Sequence, residues 1–148
     1  MEIRDSQKVF CECNIHQDEI GNNGVIPVYQ TSDAACADVA LPKQVIVPAN
    51  SVVKVDLLVS FNIPKGYKIN MYPRSSLLVK KGLVQPVSII DADYHDHVHV
   101  PLYNPTNEDI VLERGERVAQ IECVPRYRTC DWIEKNVKRE GGFGSTGK

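Results

Sequence analysis

The stretch 53–63 constrains the fold more than any other part of this chain. Its odd-numbered positions are all apolar, the period of two that a half-buried strand requires: Val53, Val55, Leu57, Val59, Phe61 and Ile63. Shorter extended segments are predicted at 45–47, 68–72, 97–102 and 117–124, with turn-forming Pro, Gly and Asn between them. Many short strands at such spacing predict an all-β fold, an antiparallel sandwich or barrel.

Other local signals are sparse. Asn23-Gly24 is typical of a tight hairpin turn, and only residues 131–138 predict a short helix. With 148 residues, 43% hydrophobic and 24% charged, the chain is expected to form one globular domain. No apolar run approaches the roughly 20 residues of a membrane span, and the N-terminus lacks a signal peptide's apolar core. We therefore expect a cytoplasmic protein.

The cysteines and the net charge limit the classes of function. Five cysteines without a framework spacing favour reduced thiols. Cys11, Cys13 and His16 could form part of a metal site, but no second ligand pair follows at a zinc-like interval. A net charge of −2 argues against a generic nucleic-acid binder, so any bound phosphate should be held by a few placed cations.

Three histidines alternate with apolar residues near the middle of the chain. His95, His97 and His99 would share one face of a strand, which is either a zinc site or a solvent-exposed face. The second interpretation is favoured because no carboxylate or thiol is expected nearby in the required geometry.

The C-terminal residues 141–148 (GGFGSTGK) match a phosphate-binding P-loop up to its last position. A P-loop needs a strand before it and a helix after it, and neither is predicted here. From about residue 134 the composition shifts to Lys, Arg, Glu and Gly, with Phe143 as the only large apolar residue. Both a disordered tail and an arm that orders over a ligand fit this composition, which by itself favours the tail.

Two polar stretches inside the strand-rich body carry candidate chemistry. Arg74 follows a predicted strand and offers a planar fork of donors for phosphate oxygens, with two serine hydroxyls next in sequence. Asp91 and Asp93 follow a short apolar segment. One ionised carboxylate there could take a proton from a water positioned to attack phosphorus. Tyr94 could supply a flat wall for a base or sugar. Taken singly, each stretch is more often a solvated turn.

Together and in order, these stretches resemble the five motifs of the trimeric dUTPases. The matching segments are 35–39 (ACADV), 73–83 (PRSSLLVKKGL), 88–94 (SIIDADY), 115–121 (GERVAQI) and 141–147 (GGFGSTG). The resemblance implies a distorted jelly-roll or barrel-like all-β subunit at residues 1–133 and a flexible glycine-rich arm at 134–148. It also implies a homotrimer with shared active sites, in which each arm closes over a neighbour's site.

The activity implied by the resemblance is Mg²⁺-dependent hydrolysis of dUTP to dUMP and pyrophosphate. That reaction keeps uracil out of DNA and supplies dUMP for dTMP synthesis. Asp91 matches the residue that orients the attacking water, and Asp38 matches an outer-shell partner of magnesium, which the triphosphate mainly holds. The implied substrate-binding residues are Arg74, Ser75, Ser76, Gln85, Ile90, Tyr94, Gln120, Arg139, Phe143, Gly144, Ser145 and Thr146.

The family's roles divide these residues between the parts of the nucleotide. Tyr94 matches the ring that packs on the deoxyribose and excludes a 2′-hydroxyl. Gln85 falls where the family usually has an Asn near uracil, and Phe143 would stack over the base. The phosphate-contacting positions are Arg74, Ser75, Ser76 and Gln120, with Gly144, Ser145 and Thr146 closing on the terminal phosphates.

Some positions depart from the family pattern. Cys36, Ser76 and Ser88 stand where the family usually has Gly, which changes the backbone torsions that are available. Residues 57–58 (LL) replace a Thr-Gly, and 95–97 (HDH) replace an Arg-Gly-Glu. The fifth motif normally opens with an Arg, so either Lys138 or Arg139 is the candidate for the γ-phosphate contact.

Two other functions remain open from the sequence. The related deamination of dCTP occurs on the same architecture, although the glycine-rich tail and the Asp-Ala-Asp-Tyr segment make it less favoured. A catalytically inactive trimer that binds a partner when nucleotide closes the tail is the alternative outside enzymes. Intact Arg74, Asp91 and Tyr94 argue against that loss of catalysis.

Overall fold

The computed structural model describes residues 8–138, and strands dominate it. This confirms the all-β expectation. The strands are β1 Glu12–Ile15, β2 Ala37–Ala40, β3 Val45–Val47, β4 Ser51–Asp56, β5 Val59–Asn62, β6 Tyr67–Pro73, β7 Ser88–Ile90, β8 His99–Asn104, β9 Ile110–Leu112 and β10 Arg117–Pro125. The π-helical turn Leu77–Lys81 lies between β6 and β7.

Every strand pair in the described part is antiparallel. The largest sheet has the order β2-β10-β6-β7, and the remaining strands pair as β1-β5, β3-β9 and β4-β8. The β10–β2 pairing shifts register between Arg117 and Ala119, the signature of a β-bulge. The four-stranded sheet matters most for function, because the candidate residues lie at its two ends.

Inward-facing residues of the strands form one continuous apolar cluster. In the four-stranded sheet, β6 buries Ile69 and Met71, β10 buries Val118 and Ile121, and β2 buries Val39. Each such side chain contributes about 1.5–3 kcal/mol through its removal from water. The packed cluster therefore fixes this sheet and the loops that leave its ends.

The predicted strand 53–63 is two strands, so the prediction of one continuous strand is wrong. Its first half pairs with β8 and its second half with β1. Between them Leu58 has φ 55°, and its N–H donates to Asp56 Oδ1 at 2.8 Å. This left-handed residue redirects the chain while Leu57, Val59 and the later odd positions stay buried, and Leu58 and Ser60 become buried as well.

The turn of the N-terminal hairpin lies at residues 18–22, immediately before the turn predicted at Asn23-Gly24. The Asp18 carboxylate accepts the N–H groups of Ile20 at 3.1 Å and Asn22 at 2.8 Å, and these bonds hold the turn. Asn23 already lies in a β-bridge. The Asn-Gly prediction is wrong because an aspartate-centred turn forms first along the chain.

Other boundaries differ less. The strand predicted at 45–47 is confirmed, and those at 68–72 and 117–124 are each slightly longer than expected. The strand predicted at 97–102 begins at His99 instead, so His95 and His97 precede it and the three histidines do not share a strand face. The helix predicted at 131–138 is wrong, since residues 126–138 carry no helix or strand.

Large apolar side chains are exposed after the last strand. Trp132 is 94% exposed and Ile133 88% exposed, so neither contributes to the core of the single chain. Nowhere in residues 8–138 does the chain form an apolar helix of the length that a bilayer requires.

Candidate active site

A charged cluster lies where β6 ends and β10 begins. Arg74 follows β6, and its Nε lies 3.5 Å from Asp38 Oδ1 on β2. Arg117 Nη1 approaches the other oxygen of Asp38 at 3.3 Å, and Arg74 Nη1 donates to the Arg117 carbonyl at 3.1 Å. Gln120, opposite Asp38 in the β10–β2 register, donates to the Pro73 carbonyl at 3.1 Å. We call Asp38, Arg74, Arg117 and Gln120 the phosphate-side cluster.

Ser75 and Ser76 continue from this cluster into the π-helical turn. The Leu77 N–H donates to the Arg74 carbonyl at 3.1 Å, and Gly82, at φ 72°, closes the turn in the left-handed region that glycine tolerates. Neither serine hydroxyl bonds to another residue within 8–138. Both hydroxyls therefore remain available as donors directly after Arg74 in the chain.

A second site lies in a cavity of about 210 Å³ beside β7. Apolar atoms from Met71, Ile90 and Val98 line it, and Asp91 and Tyr94 stand at its edge. These two residues belong to one turn, because the Tyr94 N–H donates to the Asp91 carbonyl at 3.1 Å. The Tyr94 hydroxyl donates to the His97 carbonyl at 2.8 Å, which fixes the ring. We call this the nucleoside-side cavity.

His99 lines the nucleoside-side cavity, and it belongs to a group of histidines around one aspartate. His97 Nδ1 donates to Asp56 Oδ2 at 3.0 Å, and His99 Nε2 lies 3.9 Å from the same oxygen. His16 packs on His97 with ring centroids 4.2 Å apart. A carboxylate does lie beside these histidines, because the β4–β8 register puts Asp56 opposite His99.

The Asp56 carboxyl is held in its ionised form. Partial burial opposes ionisation, but the hydrogen bonds from His97 and from the Leu58 N–H outweigh it and lower the pKa of Asp56 below its usual 3.8. Across residues 8–138, no group of three or more His, Cys, Asp or Glu side chains has the geometry of a metal site.

Gln85 is a buried polar residue between the two sites in sequence. It is 8% exposed, and neither its amide nitrogen nor its amide oxygen has a hydrogen-bond partner among residues 8–138. A buried amide without partners is uncommon in a folded protein. Both polar atoms of the Gln85 amide therefore remain able to form hydrogen bonds with an added group.

Arg74 and Asp91 lie at opposite ends of β6. Ile90 pairs with Ile69, so Asp91 lies beside Lys68, whereas Arg74 is six positions further along the strand. At about 3.3 Å per residue, these two positions are about 20 Å apart. One chain therefore does not bring its phosphate-side cluster to its own nucleoside-side cavity.

Five of the substrate-binding predictions fall outside the described residues: Arg139, Phe143, Gly144, Ser145 and Thr146. Lys138 is described and is exposed.

The dUTPase family model matches residues 22–147 of this chain. The chain belongs to the dUTPase family. This confirms the resemblance that the five sequence motifs carry. The matched range includes both the phosphate-side cluster and the nucleoside-side cavity.

Individual relatives agree with the dUTPase assignment. The deoxyuridine 5'-triphosphate nucleotidohydrolase of Oryza sativa subsp. japonica is 35% identical over 133 residues, which cover 87% of this chain and 78% of the relative. The corresponding enzyme of Yarrowia lipolytica is 36% identical over 135 residues, with 86% and 85% covered. The chain is thus an enzyme of the dUTP nucleotidohydrolase type, a hydrolase.

Solved structures support the dUTPase fold. The dUTPase of Staphylococcus bacteriophage 80alpha with dUpNHpp has a TM-score of 0.74 at 20% identity and covers 95% of this chain and 99% of its own. A mutant dUTPase of phage phi11 of S. aureus, which coordinates a structural Mg(II) ion, has a TM-score of 0.70 at 18% identity, with 92% and 99% covered.

Proposed function

We propose that this protein is a homotrimeric dUTP diphosphatase in which Asp91 activates the water that attacks the α-phosphorus. The observation that carries the proposal is the separation of two complementary half-sites. The phosphate-side cluster supplies cations and donors, and the nucleoside-side cavity supplies an apolar pocket with a carboxylate at its edge. A bound nucleotide would span the two.

Because Arg74 and Asp91 lie about 20 Å apart in one chain, the complete site must join one subunit's cluster to another's cavity. A closed ring of three jelly-roll-like subunits repeats that contact three times and leaves no half-site unused. The exposed Trp132 and Ile133, together with the partnerless Gln85 amide, support contacts with neighbouring subunits.

The nucleoside-side cavity would hold the deoxyuridine part of dUTP. Ile90, Met71 and Val98 provide an apolar floor for the base, and the Tyr94 ring would pack on the deoxyribose and leave no room for a 2′-hydroxyl. Backbone groups of residues 83–94 would pair with uracil O4 and N3–H, with Gln85 nearby. A cytosine there would leave mismatched buried donors and acceptors, at about 1–3 kcal/mol per group.

The phosphate-side cluster of the neighbouring subunit would hold the triphosphate. The planar Arg74 guanidinium can donate paired hydrogen bonds to phosphate oxygens. The free Ser75 and Ser76 hydroxyls and the Gln120 amide can add further donors. Positioning in this way, without covalent chemistry by the protein, can lower the barrier by several kcal/mol.

The donor set on this side fits a magnesium ion that the nucleotide brings with it. Asp38 has both oxygens engaged by arginines, so it suits contact through a water better than direct coordination. Mg²⁺ usually keeps several waters and binds substrate phosphates with one or two carboxylates, and when bound it would offset charge on the phosphate oxygens.

The hydrolytic step needs one base at the α-phosphorus. Asp91 would accept a proton from a water whose oxygen forms the new bond to the α-phosphorus, while the bond from that phosphorus to the bridging oxygen breaks. The products are dUMP and pyrophosphate. Removal of dUTP would keep uracil out of DNA, and dUMP would feed dTMP synthesis.

Residues 134–148 would act as the closing arm over a neighbouring subunit's site. Phe143 would stack over uracil, and Gly144, Ser145 and Thr146 would close on the terminal phosphates. Arg139, or Lys138 beside it, would reach the γ-phosphate.

The test measures the release of pyrophosphate and of ammonia from dUTP, dCTP, dTTP and UTP. The dUTP reaction is then repeated in ¹⁸O-labelled water. We expect turnover of dUTP far above the other three, with the label in dUMP. Ammonia release from dCTP would assign the chain to deamination instead. Label in pyrophosphate would refute attack at the α-phosphorus.

A further inference from the structure

A second cavity shares Asp91 with the nucleoside-side cavity. It has a volume of about 280 Å³, and Lys68, Arg126 and Arg128 line it together with Asp91 and Asp93. Tyr67 and Ala92 complete its wall. Three cations therefore face two carboxylates around one space, and one of those carboxylates is the proposed base. We call Lys68, Arg126 and Arg128 the basic wall.

Backbone hydrogen bonds position two of the three residues of the basic wall. The Arg126 N–H donates to the Gly66 carbonyl at 2.7 Å, directly after the last β10 pair, Pro125 with Tyr67. Lys68 belongs to β6 and is paired with Val124. Two of the three cations thus project from adjacent, hydrogen-bonded chain segments.

The side chains of the basic wall are not engaged by the acids beside them. The ion pairs found among residues 8–138 involve Asp38, Asp56 and Glu116, and none joins Lys68, Arg126 or Arg128 to Asp91 or Asp93. Cations that share a cavity with carboxylates and still make no ion pair are free to bind an added anion.

The turn that carries the proposed base presents a problem for an anionic substrate. Asp91, Asp93 and Asp96 are all exposed within six positions, and they would repel a polyphosphate that approaches Asp91. Cations at the same edge reduce that repulsion and raise the local concentration of the anion, an effect that added salt screens.

We propose that the basic wall is a polyphosphate-binding subsite that draws the phosphate chain of the nucleotide, or the released pyrophosphate, to the edge of Asp91. The assignment to a phosphate chain rests on the proposed function, since the chemistry at Asp91 sets which anion passes this cavity. The basic wall acts by attraction and positioning and takes no part in the bond changes.

The test compares full-length Arg126→Gln/Arg128→Gln with two matched controls. Arg126→Lys/Arg128→Lys keeps both charges in place, and Lys43→Gln/Arg114→Gln removes two exposed charges elsewhere on the surface. Calorimetric titration with inorganic pyrophosphate measures binding without catalysis. Steady-state kinetics with dUTP at low and high salt measures kcat and kcat/KM.

We expect the double glutamine variant to bind pyrophosphate about tenfold more weakly at low salt, and high salt to remove the difference. Both controls should bind as the unaltered chain does. A matching fall in kcat/KM with unchanged kcat assigns the subsite to the substrate, and an unchanged kcat/KM assigns it to the released pyrophosphate.

Equal pyrophosphate binding by the double glutamine variant and the Lys43→Gln/Arg114→Gln control would overturn the subsite. If the unaltered chain did not hydrolyse dUTP at all, the proposed function would fail. The pyrophosphate titration would still decide the subsite in that case.

Discussion

Mixing two inactive variants should restore activity if the site is shared between chains. Arg74→Ala removes the main cation of the phosphate-side cluster, and Asp91→Asn removes the proposed base. Each change alone should lower turnover by about 100-fold or more. The separation of about 20 Å along β6 means that neither variant damages the half-site which the other needs.

The size of the recovery follows from random assembly. A working site needs an intact cluster from an Asp91→Asn chain and an intact cavity from an Arg74→Ala chain. In an equimolar mixture each condition holds for about half of the subunits, so about one quarter of the sites are intact.

The assay unfolds the two variants together, refolds them and measures dUTP turnover per chain. Each variant refolded alone is the control for residual activity. Recovery near one quarter of unaltered turnover supports the shared site. Recovery no greater than the average of the two parents would show that Arg74 and Asp91 serve the same site from one chain, and would refute the reasoning.

Three further outcomes test other parts of the structure. Gly24→Ala should lower the free energy of unfolding by about 3 kcal/mol or more in denaturant titration, because the new Cβ would lie 2.0 Å from the Leu58 carbonyl oxygen; a loss under about 1 kcal/mol would contradict that contact. Asp56→Asn should destabilise the chain at about pH 6 and much less at about pH 2.5. Partial burial opposes ionisation of Asp56, but the His97 hydrogen bond outweighs it and lowers the pKa in the folded state. The ionised carboxylate therefore stabilises the fold above the unfolded pKa of 3.8, and this stability is lost as pH falls through the folded pKa. An equal loss of stability at both pH values would contradict this. A chain that ends at Lys138 should keep its fold and assembly by light scattering but lose about 100-fold in turnover, and unchanged kcat would exclude the closing arm.

Strands with clear alternation could be predicted from the sequence, and their breaks could not. The 45–47 segment became β3 without change, since its apolar side chains pack on the core in the expected phase. The 53–63 segment divides at Leu58, yet its odd-numbered apolar positions are buried on both sides of the break, at Val55, Leu57 and Val59. The alternation of apolar residues therefore gave no indication of the break at Leu58. The clue was Asp56, whose carboxylate accepts the Leu58 N–H two residues later.

The resemblance implied active sites shared between subunits, but local sequence patterns could not assign each candidate residue to one half of such a site. Sequence order places Arg74 before Asp91 without revealing that the two residues lie at opposite ends of β6. The antiparallel β6–β7 pairing supplies that fact. For the same reason, the contact of Asp56 with His97 and His99 could not be predicted, since it depends on the pairing of β4 with β8. Contacts between residues distant in sequence depend on strand register, which local patterns leave open.

The turnover of dUTP by Asp91→Asn, measured beside Asp96→Asn, tests most directly whether a carboxylate at this position drives the hydrolysis. Asp96 is an exposed aspartate five positions away, so it controls for the loss of one negative charge from the same region. We expect Asp91→Asn to lose at least about 100-fold in kcat and Asp96→Asn to stay close to the unaltered enzyme. A folded Asp91→Asn chain that hydrolyses dUTP at the unaltered rate would contradict the account.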